Sequence, residues 1–169
     1  MASTRDLLID AFDRIRDSTA RIVDGLSDED LTFRASPEAN SIAWLVWHLT
    51  RVQDDHVADA AGTDQVWTSG GFAAQFGLPF DEDATGYGMS PEEVGDVAGV
   101  SAEDLASYHS AVHDRTVAYV AGLSDSELDR VVDEGWYPPV TLAVRLVSVV
   151  SDDLQHVGQA AFVRGLLQH

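Results

Sequence analysis

Apolar residues recur at helical spacing in four separate stretches of the chain. In residues 4–24, Leu8, Phe12, Ile15, Thr19, Ile22 and Leu26 alternate steps of four and three, the pattern of one helix face, and Ser3 with Asp6 supplies a capping-box start. Residues 41–60 (SIAWLVWHLTRVQDDHVADA) are apolar on all sides at first and polar later, with no Gly or Pro to interrupt them. This pattern predicts a helix of about 20 residues, buried in its first half. Residues 101–122 repeat the helical spacing through Leu105, Tyr108, Val112, Tyr119 and Leu123, with Gly122 where a C-terminal cap would sit. A fourth helix is expected over 141–167, after Pro138 and Pro139, which suit a helix start. The expected fold is all-α: an up-down-type four-helix bundle with antiparallel helices, no substantial sheet, and a long insertion between helices two and three.

That insertion, residues 62–100, holds eight glycines and two prolines together with Trp67, Phe72, Phe76, Phe80 and Tyr87. It is too aromatic for a solvated linker and too long for a simple connection. It is expected to pack as a lid, with Trp67, Phe72, Phe76 and Tyr87 over the open side of a site; the alternative is that these rings seal one end of the core. Ser90-Pro91-Glu92-Glu93 predicts a short helix over 91–98. GLSDEDL (25–31) and GLSDSEL (122–128) form a weak internal repeat, readable as shared capping chemistry or as two related helical hairpins.

Composition narrows the chemistry. A chain of 169 residues fits one domain over 1–169, large enough for a core without staples. Cysteine and lysine are both absent, which excludes a cysteine nucleophile, thiolate metal sites, a Schiff-base lysine and a P-loop lysine. The net charge of −19 opposes nucleic-acid and anionic-membrane partners and leaves a small molecule, or a second copy packed through apolar helices as a homodimer. No eighteen-residue apolar window and no basic leader followed by an apolar run occur, so a cytoplasmic protein is expected. Nucleophile-elbow, phosphate-loop and dinucleotide fingerprints do not occur either.

Candidate chemistry gathers on helix four, where Arg145, Ser148, Asp152, His156 and Gln159 form a polar stripe along an otherwise apolar helix. Buried polarity of this kind needs partners or a metal. Asp152 and His156 are four apart and so share a face, offering one oxygen and one nitrogen to a first-row divalent ion. A third ligand could come from His48 or His56 on helix two. Trp44, Val52 and Asp55 share the sector of His48, and Asp55 could orient a ligand, although Asp54 and Asp55 could equally solvate the helix end. Aligning helix two on helix four from Ser41 and Thr141 sets His56 opposite His156 and favours His56. His109 and His113 (HSAVH) form a rival pair at the same spacing, but without the glutamate of H-E-x-x-H, and structural or surface roles are expected for them.

A histidine inside SIAWLVWHLTRVQDDH, combined with D-x-x-x-H-x-G-Q and R-G-L-L in DDLQHVGQAAFVRGLL, resembles the DinB-like superfamily. Its members include mycothiol-dependent maleylpyruvate isomerases and the thiol S-transferases of bacteria that use mycothiol or bacillithiol. The resemblance implies a four-helix bundle with a metal triad at His48, Asp152 and His156, and a supporting role for Gln159. Many members have histidine where this chain has Asp152, and the isomerase type has glutamate; the shorter arm bears on which metal is held. The implied cofactor is a divalent metal, zinc first with nickel, manganese or iron as alternatives, and a low-molecular-weight thiol is the implied cosubstrate. On this reading the protein is an S-transferase or isomerase acting on a small electrophile through a metal-bound thiolate. The competing readings are a non-catalytic protein binding a metal or small ligand, and a structural helical homodimer.

Overall fold

A computed structural model describes residues 2–167, so residues 1, 168 and 169 of the expected domain lie outside the described part. In chain order the helices are α1 (Thr4–Val23), α2 (Asp28–Thr32), α3 (Ile42–Ala61), α4 (Val66–Ser69), α5 (Phe72–Phe76), α6 (Pro91–Gly95), α7 (Ala102–Gly122) and α8 (Leu142–Leu166). A 3-10 turn (Asp125–Asp129) and a small antiparallel pair, β1 (Val131–Asp133) and β2 (Val140–Thr141), separate α7 from α8. The four long helices fall where the periodicity predicts, because each begins at a side-chain oxygen that takes up a free backbone N–H. Ser3 and Asp6 cap α1 reciprocally, Ser41 caps α3, Ser101 and Asp104 cap α7, and Thr141 caps α8.

Three local expectations shift. Gly122 is the last helical residue of α7 rather than its cap, which is Leu123. Pro138 and Pro139 lie in the turn between β1 and β2, with a cis bond at Tyr137–Pro138, and the helix starts from Thr141 instead. The helix expected over 91–98 starts at Pro91 as predicted but ends at Gly95. In the two GLSD segments the serine N–H donates to an acid three residues on, Ser27 to Asp30 and Ser124 to Glu127, so the repeat works as capping chemistry in both places.

Helix directions follow from the contacts between them. Arg5 reaches the Ala121 carbonyl and Asp13 meets His113, so α1 and α7 are antiparallel. Thr50 faces His109, Gln53 donates to Thr116, and Tyr119 donates to the Ala60 carbonyl, so α3 and α7 run parallel. Trp44 lies against His156 and His56 against Arg145, so α3 and α8 are antiparallel. The bundle is therefore up-down-down-up, and simple alternation is broken between α3 and α7. The insertion is the reason. A 20-residue helix is about 30 Å long, and only a long connection can return the chain to the end from which α3 began.

The insertion is folded onto the bundle. Trp67 packs against Phe76 and Tyr108 with ring centroids 5.2 and 5.1 Å apart, Phe72 against Tyr108 at 4.9 Å, and Trp47 against Phe80 at 5.8 Å. These rings join the same hydrophobic core as Leu105 of α7 and Leu49 of α3.

Candidate metal centre

The seam between α3 and α8 brings His48, Asp152 and His156 together, with one potential ligand atom from each lying within 4.8 Å of the others. Among the described residues this is the group of three or more such side chains that meets a metal-holding geometry. The two imidazoles face each other edge to face, centroids 4.8 Å apart, and Trp44 stacks on His48 at 4.5 Å. Along α8 the four-residue step places His156 Nε2 3.6 Å from Asp152 Oδ1.

The neighbours of each histidine assign its tautomer. His48 Nδ1 is 2.6 Å from the Thr85 carbonyl oxygen, which can only accept, so Nδ1 carries the proton and Nε2 keeps a lone pair. His156 Nδ1 is 2.9 Å from Gln159 Oε1, which leaves its Nε2 free in the same way. Both rings thus present a basic nitrogen, each backed by an acceptor on the far side, as metal-ligating histidines usually are. The backing for His48 comes from the insertion. There Gly86 has φ of +92°, and a Cβ on it would sit 2.7 Å from His48 Nδ1 and 3.0 Å from the Trp47 ring. Only glycine lets the loop approach this closely.

Burial pulls the pKa of His48 below its ordinary value, only partly offset by the Thr85 carbonyl. For His156 burial acts in the same direction but is outweighed by its interactions with Asp152 and Gln159, and the pKa rises. Burial would raise the Asp152 carboxyl, yet His156 and the charges of His48 and His56 bring it below the usual carboxylate range. The cluster therefore favours an ionised Asp152 carboxylate beside a neutral His48, the ligand forms that a cation site needs. Asp152 Oδ2 is buried with no hydrogen-bond partner. One oxygen and two nitrogens in a half-buried pocket, with one oxygen lone pair unspent, fit a first-row divalent ion.

The other candidates are placed elsewhere. His56 lines the same cavity as His48 and Asp152 but faces Arg145, whose Nη1 is 3.4 and 3.5 Å from its two ring nitrogens. Burial and Arg145 lower its pKa. The alignment of Ser41 with Thr141 is real, since both are N-caps, but it does not identify partners. In an antiparallel pair related this way, the counterpart of the His48–His156 contact is a facing of Ser148 and His56, and both of these line the cavity. Asp55 accepts from Gln65 and lies 3.7 Å from His56, so it orients neither His48 nor its partners. His109 is fully buried beside Thr50 and held neutral, its pKa lowered to about 3 by burial. His113 Nε2 meets Asp13 at 2.7 Å, so the HSAVH pair is divided between the core and a hydrogen-bonded contact with α1. Of the four rings named for the lid, Tyr87 lines the cavity, while Trp67, Phe72 and Phe76 pack around Tyr108.

Several residues take roles that the sequence reading missed. Asp54 does not solvate a helix end: it is buried, accepts the Val66 and Trp67 N–H groups at 2.8 and 2.7 Å, and takes the Tyr108 hydroxyl at 2.9 Å. Asp153, next to Asp152, turns the other way into the core with neither oxygen hydrogen-bonded, and burial pushes its carboxyl well above the usual range. Thr85 and Gly86 are found only through folding of the insertion. The double-aspartate sequence could have flagged Asp54 and Asp153, since adjacent positions on a helix point about 100° apart and cannot both face one site.

The sequence model of the mycothiol-S-transferase family matches residues 7–169. Among solved structures, the chain is similar to a conserved protein from Enterococcus faecalis, with 27% identity, a TM-score of 0.90, and coverage of 97% of this chain and 96% of that one. A search of curated proteins gave no match.

Proposed function

The chain belongs to the mycothiol S-transferase family, and from that premise we propose that it is a divalent-metal-dependent enzyme joining a low-molecular-weight thiol to a small electrophile. The observation that carries this reading is the convergence of His48, Asp152 and His156, two imidazole nitrogens and a carboxylate oxygen within 4.8 Å, with His48 and Asp152 lining an open cavity. When bound there, a divalent ion such as zinc supplies Lewis acidity that makes a thiolate available at neutral pH. The protein's own groups do the rest. The Thr85 carbonyl and Gln159 fix the two histidines, Trp44 walls one side, and Tyr87 with Val52 and Val149 borders the space where an electrophile can approach. A divalent ion held by these three side chains would keep room for a thiol sulfur. A reduced thiol pool as cosubstrate fits a cytoplasmic protein, and among the described residues no helix is long and apolar enough to cross a membrane.

The test begins with metal analysis of protein purified without chelator or histidine tag. His156→Ala is expected to lose stoichiometric metal, whereas His113→Ala and His56→Ala retain it. Loss in His56→Ala would move the helix ligand two turns along α3. Metal-loaded protein is then expected to turn over a thiol with an epoxide or alkyl halide. Bound metal without turnover would leave a non-catalytic metal-binding protein, and the absence of both would leave a structural bundle.

A further inference from the structure

The outer face of α8 carries no charge. Twelve residues between Val144 and Leu166 are exposed, and every one of them is apolar, glycine, serine or glutamine. The four charged residues of the helix, Arg145, Asp152, Asp153 and Arg164, are buried or half-buried, and Arg164 turns to the carbonyls that end α1. By contrast α1 exposes Arg5, Asp6, Asp10, Arg14, Asp17 and Arg21. Five of the eleven large apolar residues that are exposed among the described residues also lie on α8: Val144, Val147, Leu154, Phe162 and Leu166. In a chain of net charge −19, a neutral and apolar strip of this length is not an ordinary solvated face.

We propose that this face is the interface of a homodimer, in which α8 packs antiparallel against α8 of a second copy about a two-fold axis at Leu154. Three features choose that occupant. The first is the order of large and small residues along the exposed stripe, which advances in steps of three and four. In this register Leu154 meets its own counterpart, Ser151 meets Gly158 of the second copy, Val147 meets Phe162, and Val144 meets Gly165. Each contact recurs on the other side of the axis, as a two-fold interface requires. Small residues face each other one turn from the axis, where crossing helices are closest, and Phe162 lies farther out, where they diverge. The second feature is area. Residues 144–166 span about 34 Å, and the outer half of a helix about 11 Å across over that length has roughly 600 Å², the lower end of what a specific interface takes from each partner. A groove of about 560 Å³ beside Phe162 and Gly158 extends the face to Ala35, Ala39 and Leu45. The third is charge. A second copy brings its own −19, and the α8 strip lets two copies meet with no carboxylate between them. A partner that binds through charge finds nothing on the strip to pair with.

The test is sedimentation of the full chain over a range of concentrations at low and at high salt. A monomer–dimer equilibrium is expected, and it tightens as salt screens the repulsion between the two acidic copies. Leu154→Asp and Phe162→Asp are each expected to weaken the dimer by at least about tenfold. Both side chains are exposed, so the variant monomers keep their fold, which circular dichroism checks. Because the chain has no cysteine, single replacements report the register. A short bis-maleimide is expected to join two copies of Leu154→Cys, and not two copies of Val144→Cys, whose sulfurs stand about 32 Å apart in this arrangement. A chain that stays monomeric at every concentration and salt overturns the proposal and leaves the face to a different partner. A dimer that both aspartate variants leave intact, or one linked through Val144→Cys rather than Leu154→Cys, overturns it as well. None of these readouts uses metal or turnover, so a failure of the dimer and a failure of the thiol-transfer reading are separate results.

Discussion

Helix α3 carries two polar clusters that begin three residues apart and are built on opposite terms. Arg51 is fully buried, and each of its nitrogens has a partner: Nε the Ala84 carbonyl, Nη1 Gln65, and Nη2 the Glu82 carbonyl. Asp54 takes the first two N–H groups of α4 and the Tyr108 hydroxyl, and the Arg51 guanidinium lies over the Trp67 ring. This network is closed, and its product is attachment: it ties the insertion to the bundle at Gln65, Val66, Trp67, Glu82 and Ala84. The His48 cluster, one turn earlier, is open. Its histidines are backed on the outer side only, and Asp152 keeps a buried oxygen without a partner. Buried polarity is no pointer to a site; buried polarity left unsatisfied on one converging side is.

The comparison breaks most visibly at Asp54. Asp54→Ala leaves Arg51 buried without its carboxylate and strips three donors of their acceptor, so a loss of about 3–5 kcal/mol is expected in chemical denaturation. Metal content of the protein that remains folded should not change. A loss of metal with little loss of stability would mean that the two clusters have been assigned the wrong way round.

Next in size is an acid effect from outside both clusters. Folded His109 stays neutral down to about pH 3, while the unfolded chain takes up its proton near the ordinary value of 6.5. Acidification between these limits therefore favours unfolding, by ~1.4 kcal/mol per pH unit for this group. His109→Gln is expected to reduce the slope of stability against pH in that window, read from denaturation midpoints; an unchanged slope would contradict the buried neutral assignment.

Two substitutions sharpen the open side. Gly86→Ala places a Cβ against His48 Nδ1 at a backbone angle that disfavours side chains, and a stability loss of roughly 1–3 kcal/mol with weakened metal binding is expected. Stability lost with metal affinity intact would show that the loop does not orient His48. Gln159→Ala removes the backing of His156 and should lower metal affinity about 10–100-fold in competition titrations, with stability nearly unchanged because the side chain is exposed.

The helices and the α8 half of the site were legible because they depend on local rules. A period of 3.6 and a capping oxygen define a helix wherever it later packs, and a four-residue step puts Asp152 beside His156 on any helix. His48 rested on the family resemblance. The residues alone leave His48 and His56 both open, and internal alignment favours His56, because alignment pairs positions related by symmetry rather than positions in contact. Asp54 was misread for a related reason: its acceptors' partners lie 12 and 13 residues ahead, on a helix not discernible in the sequence.

What the sequence determined by itself was the set of four long helices, the polar stripe on α8, and the absence of cysteine and lysine, with which any sulfur chemistry would need a thiol from outside. Tertiary structure alone decided that α3 and α7 run parallel, that Trp67, Phe72 and Phe76 complete the core while Thr85, Gly86 and Tyr87 reach the site, and that Asp133 and Trp136 line the cavity. The physical reason is range. Helix formation is governed by neighbours within four residues, whereas the direction of a helix and the partner of a buried charge depend on residues brought together only when the whole bundle closes.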